Sequence, residues 1–217
     1  MTGASRDVIS VLHEFGHAFQ DYQSRDKRVL EYLMPTSEAG KIHAMALEYL
    51  MFPQYERFFG RDASRCRSNH LRSMLGMLPY VAAIDHFQEL VYEMPTAMVT
   101  ERAGLWRSLE RRYLPWRQSG GVPYLASGRA WQRQRHVYAF PFYYIDYGLA
   151  MCCALEIWAH SVGDNEQAVR SYLELCALGG ELPFRQLLKA AHLRSPFEPG
   201  TLLEVARQAE TALLHVA

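Results

Sequence analysis

An all-α fold is predicted by two features of the sequence. Apolar residues recur at helical spacing in segment after segment, and no run alternates with period two for long enough to build a sheet. Prolines and a glycine pair cut this pattern into helix-sized pieces. The first helix is expected over roughly Ser5–Gln23, where Val8, Leu12, Phe15 and Phe19 share a stripe. A second starts at the cap-like P-T-S-E of Pro35–Glu38 and runs to about Met51, ending before Pro53. Pro79, Pro95, Pro115 and Pro141 then punctuate helices near Asp62–Leu78, Tyr80–Glu93, Thr96–Tyr113 and Pro141–Val162. Each break has a local cause, since proline lacks an amide donor and clashes with the preceding turn. Gln118–Gly128, around Gly120–Gly121, reads as a long exposed loop. Shorter helices follow over Asp164–Leu178, stopped by Gly179–Gly180, then Leu182–His192 and Thr201–Val216. There is no internal repeat and no low-complexity linker, so residues 1–217 are expected to form a single domain.

Composition narrows the function classes. The 217 residues are 49% hydrophobic, which is incompatible with a mostly disordered chain. The 23 basic and 23 acidic side chains cancel, and no run of like charge exceeds the Arg111–Arg112 pair. Neither nucleic acid nor an anionic membrane is an expected partner. The most apolar stretch, Tyr138–Ala159, carries Pro141, Asp146 and Glu156, which argues against a membrane span. Cys66, Cys152, Cys153 and Cys176 form no C-x-x-C pair, and the first residues lack the order of a signal peptide. A reduced, cytoplasmic chain is the expectation.

Residues 13–17 read H-E-F-G-H, and on a helix His13 and His17 lie one turn apart on one face with Glu14 beside them. Two imidazoles at that spacing can share a metal. The pattern sits in an apolar helix, V-I-S-V-L-H-E-F-G-H-A-F-Q, where imidazole and carboxylate groups are costly without a partner. Zinc suits the set: neutral ligands leave the ion Lewis acidic, and a neighbouring carboxylate can take the proton that a bound water loses near pH ~7. Glu14 is the candidate base. A third protein ligand completes the usual catalytic site.

Four blocks carry a resemblance. They are H-E-F-G-H-A-F-Q (13–20), P-T-S-E-A-G-K-I-H-A-M-A-L-E (35–48), I-D-H-F-Q (84–88) with V-Y-E-M-P (91–95), and H-V-Y-A-F-P-F-Y-Y-I-D-Y (136–147). In order and spacing they resemble the oligoendopeptidase F branch of the thimet-oligopeptidase-like zinc metallopeptidases, over nearly the whole chain. The resemblance implies a zincin-like helical catalytic domain that binds one Zn2+ per chain and hydrolyses oligopeptides in a deep channel. Two departures accompany it. The family's second block resembles E-I-H-S-M-S-M-E, whose first glutamate is the third zinc ligand; here Lys41 stands there, 24 residues after His17, and Ala44 replaces a serine. An ammonium repels a dication, so zinc is expected to be weakly held or absent. Glu38, three residues earlier on a neighbouring face, and water are the candidate substitutes, while Glu48 is expected to support a zinc-binding histidine by a hydrogen bond. Family members are also more than twice as long, the additional part preceding the metal helix and forming the opposite channel wall. A homo-oligomer or a partner chain is therefore expected to cover an open apolar face.

His136, Tyr143 and Tyr147 are spaced by seven and four, which puts them on one face if a single helix carries them. A Phe/Tyr-rich stripe is as readily core. The resemblance implies that these three hold the substrate carbonyl and stabilise its oxyanion, with Tyr144 the alternative to Tyr143. His43 and His86 read as satisfied, partly buried histidines or as groups that support the ligands, rather than as ligands themselves. Arg107 and Glu110 read as an i, i+3 pair on a solvated face, and Cys152 and Cys153 as inert packing.

Overall fold

The computed structural model describes residues 5–214, and every regular element among them is helical. In chain order these are α1 (Ser5–Ser24), α2 (Ser37–Leu50), α3 (Tyr55–Phe59), α4 (Ala63–Glu93), α5 (Val99–Tyr113), α6 (Pro123–Ala126), α7 (His136–Ala139), α8 (Ile145–Gly163), α9 (Asn165–Leu178), α10 (Phe184–Ala190) and α11 (Thr201–Leu214). The expected end of the last helix, at Val216, lies outside the described residues. The chain divides into two compact units, Met1–Met74 with Leu149–Ala217, and Leu75–Gly148.

In the first unit α2 is buried on nearly every side, with Ile42, Ala44, Ala46 and Tyr49 fully enclosed. Burying one such large side chain contributes about 1.5–3 kcal/mol. Its small residues let α1 approach closely. A methyl group built on Gly16 of α1 would lie 2.6 Å from the Ala44 Cα and 2.8 Å from the His43 carbonyl oxygen. This contact corrects the expected stripe of α1. The buried side is Leu12, Gly16, Gln20 and Ser24, while Phe15 is 57% exposed and Phe19 stacks on Tyr172 of α9. A backbone-to-backbone approach selects small or hydrogen-bonding residues, not aromatics. Accordingly Gln20 and Ser24 both donate to the Leu33 carbonyl, at 2.9 and 2.7 Å.

The rest of this unit follows local rules. Asp164 caps α9 by accepting from the Gln167 amide at 3.0 Å. Gly179 ends that helix at φ +54°, where a side chain would strike the Tyr32 carbonyl. From Ala150 to Trp158 every residue of α8 is buried, and Glu156 is satisfied by the Arg194 amide at 3.0 and 3.2 Å. Burial raises the Cys152 thiol to about 11, in keeping with inert packing.

The second unit is built on a core of Val81, Ile84, Phe87, Trp106, Trp131 and Tyr144. Here the expected helix break at Pro79 does not occur, and α4 runs on as one helix of 31 residues. Proline inside a helix costs about 3 kcal/mol. The residues just beyond it, Val81, Ala83, Ile84 and Phe87, are all buried, and their burial offsets that cost. The expected loop at Gln118–Gly128 contains the single turn α6. Glu110 pairs with Arg117 at 3.4 Å rather than with Arg107.

Replacing Gly16 with alanine tests the helix contact. Alanine gains about 1 kcal/mol of helix propensity, but its methyl has only backbone to displace. The expected net result is a loss of at least about 1 kcal/mol in urea unfolding, and equal or higher stability would show that the helices can part at no cost.

Candidate metal centre

The α1–α2 contact brings the sequence-predicted histidines against α2. His13 and His17 sit one turn apart with ring centroids 5.1 Å apart and planes at 82°. His13 Nδ1 lies 2.6 Å from Glu48 Oε1, so its second nitrogen, Nε2, is left for another partner. Glu48 is buried, and its other oxygen, Oε2, lies 2.8 Å from His70 Nε2. His70 Nδ1 in turn lies 3.2 Å from the Tyr55 hydroxyl. Burial alone would raise the Glu48 carboxyl, but the hydrogen bonds from His13 and His70 outweigh it and hold the group below the usual carboxylate range.

His17 is in a different field. Burial lowers its proton affinity first, and the Lys41 ammonium lowers it further, ahead of the effect of His13. Lys41 is half-buried on α2, in the position where the resemblance expects a carboxylate. Glu14 lies on the exposed side of α1, and Glu38 is half-buried in the first turn of α2. Among the described residues no group of three or more His, Cys, Asp or Glu is placed to hold a metal ion. Glu38 is thus not gathered with His13 and His17.

His43 departs from its bland reading. It is fully enclosed, not partly buried; Nε2 makes one long contact of 3.4 Å to the Leu175 carbonyl, and Nδ1 has no hydrogen-bond partner. Burial pushes its pKa down to about 4. His86 matches its reading, with Nδ1 3.0 Å from the Tyr113 hydroxyl.

The second block lies in the other unit, and its backbone is not the single helix that the spacing suggests. His136 opens the short α7, and Phe142 then takes a left-handed φ of +61° before α8 begins at Ile145. Such a conformation costs a bulky residue about 1–3 kcal/mol. It is held by a 3.0 Å hydrogen bond from the Phe142 amide to the buried Gln88 side chain and by ring contact with Tyr92. The break nevertheless gathers the three side chains. The His136 ring lies 5.9 Å from Tyr143 and 5.6 Å from Tyr147, and the two tyrosine rings are 5.5 Å apart. Gln134 Nε2 sits 2.6 Å from His136 Nδ1. Burial, with a hydrogen bond donated to Tyr143, raises the Tyr147 phenol to about 12, so it keeps its proton at neutral pH. Tyr144 is 7% exposed and belongs to the core.

Sequence reading missed His70, Tyr55, Gln88 and Gln134. His70 lies 22 residues beyond Glu48 in R-S-N-H-L, with no metal-ligand spacing to mark it. Only the fold brings it to the carboxylate.

The sequence profile of peptidase family M3 matches residues 4–206. The chain belongs to that family. Its structure is similar to PZ peptidase A solved with an inhibitor, at 44% identity and a TM-score of 0.94, covering 99% of this chain and 38% of that one. An X-ray structure of an oligoendopeptidase F is 46% identical with a TM-score of 0.93, covering 98% and 38%. An oligoendopeptidase F from Bacillus anthracis is 38% identical with a TM-score of 0.84, covering 99% and 35%. These M3 relatives bear out the resemblance to the oligoendopeptidase F branch and the helical catalytic fold, and the chain spans under two fifths of their length. No curated protein sequence matches it. No helix among the described residues is long and apolar enough to cross a membrane.

A buried neutral His43 in this M3 domain couples stability to pH. Its proton affinity is higher unfolded, near 6.5, than folded, about 4, so the stabilisation is complete above pH 6.5 and is lost as pH falls toward 4. The full loss is about 3 kcal/mol. Urea unfolding across that window should show the decline, and a His43→Leu variant should flatten it.

Proposed function

We propose that this chain is an oligopeptide-directed metallopeptidase domain of the zinc type whose hydrolytic capacity is curtailed at Lys41. Membership of family M3 supports the peptide substrate class and the zinc cofactor. The paired imidazoles support His13 and His17 as the metal donors, and the place of Glu14, next to His13 on the exposed side of α1, supports its role as the general base.

The fit to a dication is half made. His13 is braced by Glu48, as a donor histidine needs. The third donor is missing, and the ammonium of Lys41 raises the local potential at His17 instead of lowering it. That single observation carries the proposal. What the chain's own residues retain is peptide binding: His136, Tyr143 and Tyr147 present ring and hydroxyl groups suited to a substrate carbonyl, with the Tyr147 proton secured by burial. The outward side of α1, with Val11, Phe15 and Tyr22 each more than half exposed, supports a covering chain, a second copy or a partner, over this face.

Metal content on protein purified without chelators, paired with hydrolysis of a quenched oligopeptide, tests the proposal. Wild type should carry well under one zinc and cleave slowly. Lys41→Glu should raise zinc affinity by at least about 10–100-fold and bring chelator-sensitive cleavage with it, and adding Glu14→Gln should abolish that cleavage while zinc stays bound. Unchanged zinc affinity in Lys41→Glu would overturn the account of this residue. Peptide binding with no hydrolysis in either variant would favour a purely binding domain.

A further inference from the structure

Glu48 is shared. Its two oxygens face two imidazoles from different helices, His13 of α1 at 2.6 Å and His70 of α4 at 2.8 Å, and the far nitrogen of His70 faces the Tyr55 hydroxyl at 3.2 Å. All but His13 are buried. A carboxylate can only accept. His13 must then carry its proton on Nδ1 and His70 on Nε2, for otherwise two lone pairs would meet. With His70 neutral, its Nδ1 is an acceptor, and the one proton of Tyr55 serves it; the Tyr55 contact to the Glu48 main-chain carbonyl is longer, at 3.4 Å. With one proton on each imidazole, the hydrogen bonds balance in a single arrangement along the whole row.

We propose that His70 and Tyr55 are positioning residues: by fixing Glu48 they hold His13 in the tautomer that leaves Nε2 unprotonated and free to act as a donor atom. The idea rests on His13 being the reactive imidazole of the proposed function, but it concerns the metal-free protein. Removing His70 would leave Glu48 Oε2 buried without a partner, so the carboxylate would turn toward other donors and release its grip on His13 Nδ1. Packing reinforces the arrangement, since the Tyr49 and Phe52 rings lie 5.0 and 5.8 Å from the His70 ring and leave it little room to rotate.

The test is two-dimensional nitrogen-15 correlation of the histidine side chains at neutral pH, in the full chain without metal. Wild-type His13 should show a protonated, pyrrole-type Nδ1 and a pyridine-type Nε2 as one unaveraged form, with a protonated Nε2 on His70. In His70→Leu the two His13 shifts should move toward each other as the tautomers mix, and His70→Gln, whose amide can still donate to Glu48, should restore part of the separation. Tyr55→Phe removes one hydroxyl and should give a smaller change in the same direction, so the comparison survives if the leucine variant does not fold. An Nε2-protonated or averaged His13 in wild type would overturn the proposal, as would unchanged His13 shifts in the variants. Neither result depends on whether zinc binds, so failure here is separable from failure of the metallopeptidase reading.

Discussion

The contact between α1 and α2 at Gly16 sets the register of everything at the candidate centre. A glycine against an alanine Cα brings two helix axes closer than ordinary side chains allow. The helices run antiparallel there, so one turn before the contact His13 meets Glu48, and just after it His17 falls within the field of Lys41. The two histidines share one helix face yet differ in surroundings, since at His17 the effect of Lys41 outweighs that of Glu14 or Asp21. One is braced by an anion, the other faces a cation. Shifting either helix by one residue would dissolve both pairings.

Much of this was legible in the sequence where the signal is local. The helices of the first unit begin and end close to where prolines, glycines and the Asp164 cap put them, since those devices act within a turn, although Thr36 at the head of α2 makes no side-chain capping bond. The H-E-x-x-H spacing announced the histidine pair for the same reason. Legibility failed where tertiary contacts reversed a local preference. Pro79 sits inside a continuous helix because buried residues flank it, and Phe15 points outward because α2 demands a small neighbour at Gly16. The spacing of His136, Tyr143 and Tyr147 suggested one face of one helix, and their rings do meet, but through a left-handed turn at Phe142 that no periodicity encodes.

His70 marks the deeper limit. Nothing in its neighbourhood distinguishes it from a solvated histidine, and its meaning arises only when α4 delivers it to the carboxylate that α2 has already presented to α1. Pairwise spacing rules read ligands that share an element. The groups that hold those ligands in place come from other elements, and sequence carries them without a pattern.

The buried row from His13 to Tyr55 has a consequence for how such a domain drifts over time. Taking a donor imidazole away from a buried carboxylate leaves that charge without a hydrogen bond, at a cost of at least about 1–3 kcal/mol, a sizeable part of the stability of a whole domain. Selection for folding alone would therefore preserve Glu48 and its two imidazoles, whether or not any peptide is cut. Position 41, half-buried on α2, lies outside that row. The brace on His13 is thus kept as a condition of folding, separately from the residue that stands at position 41.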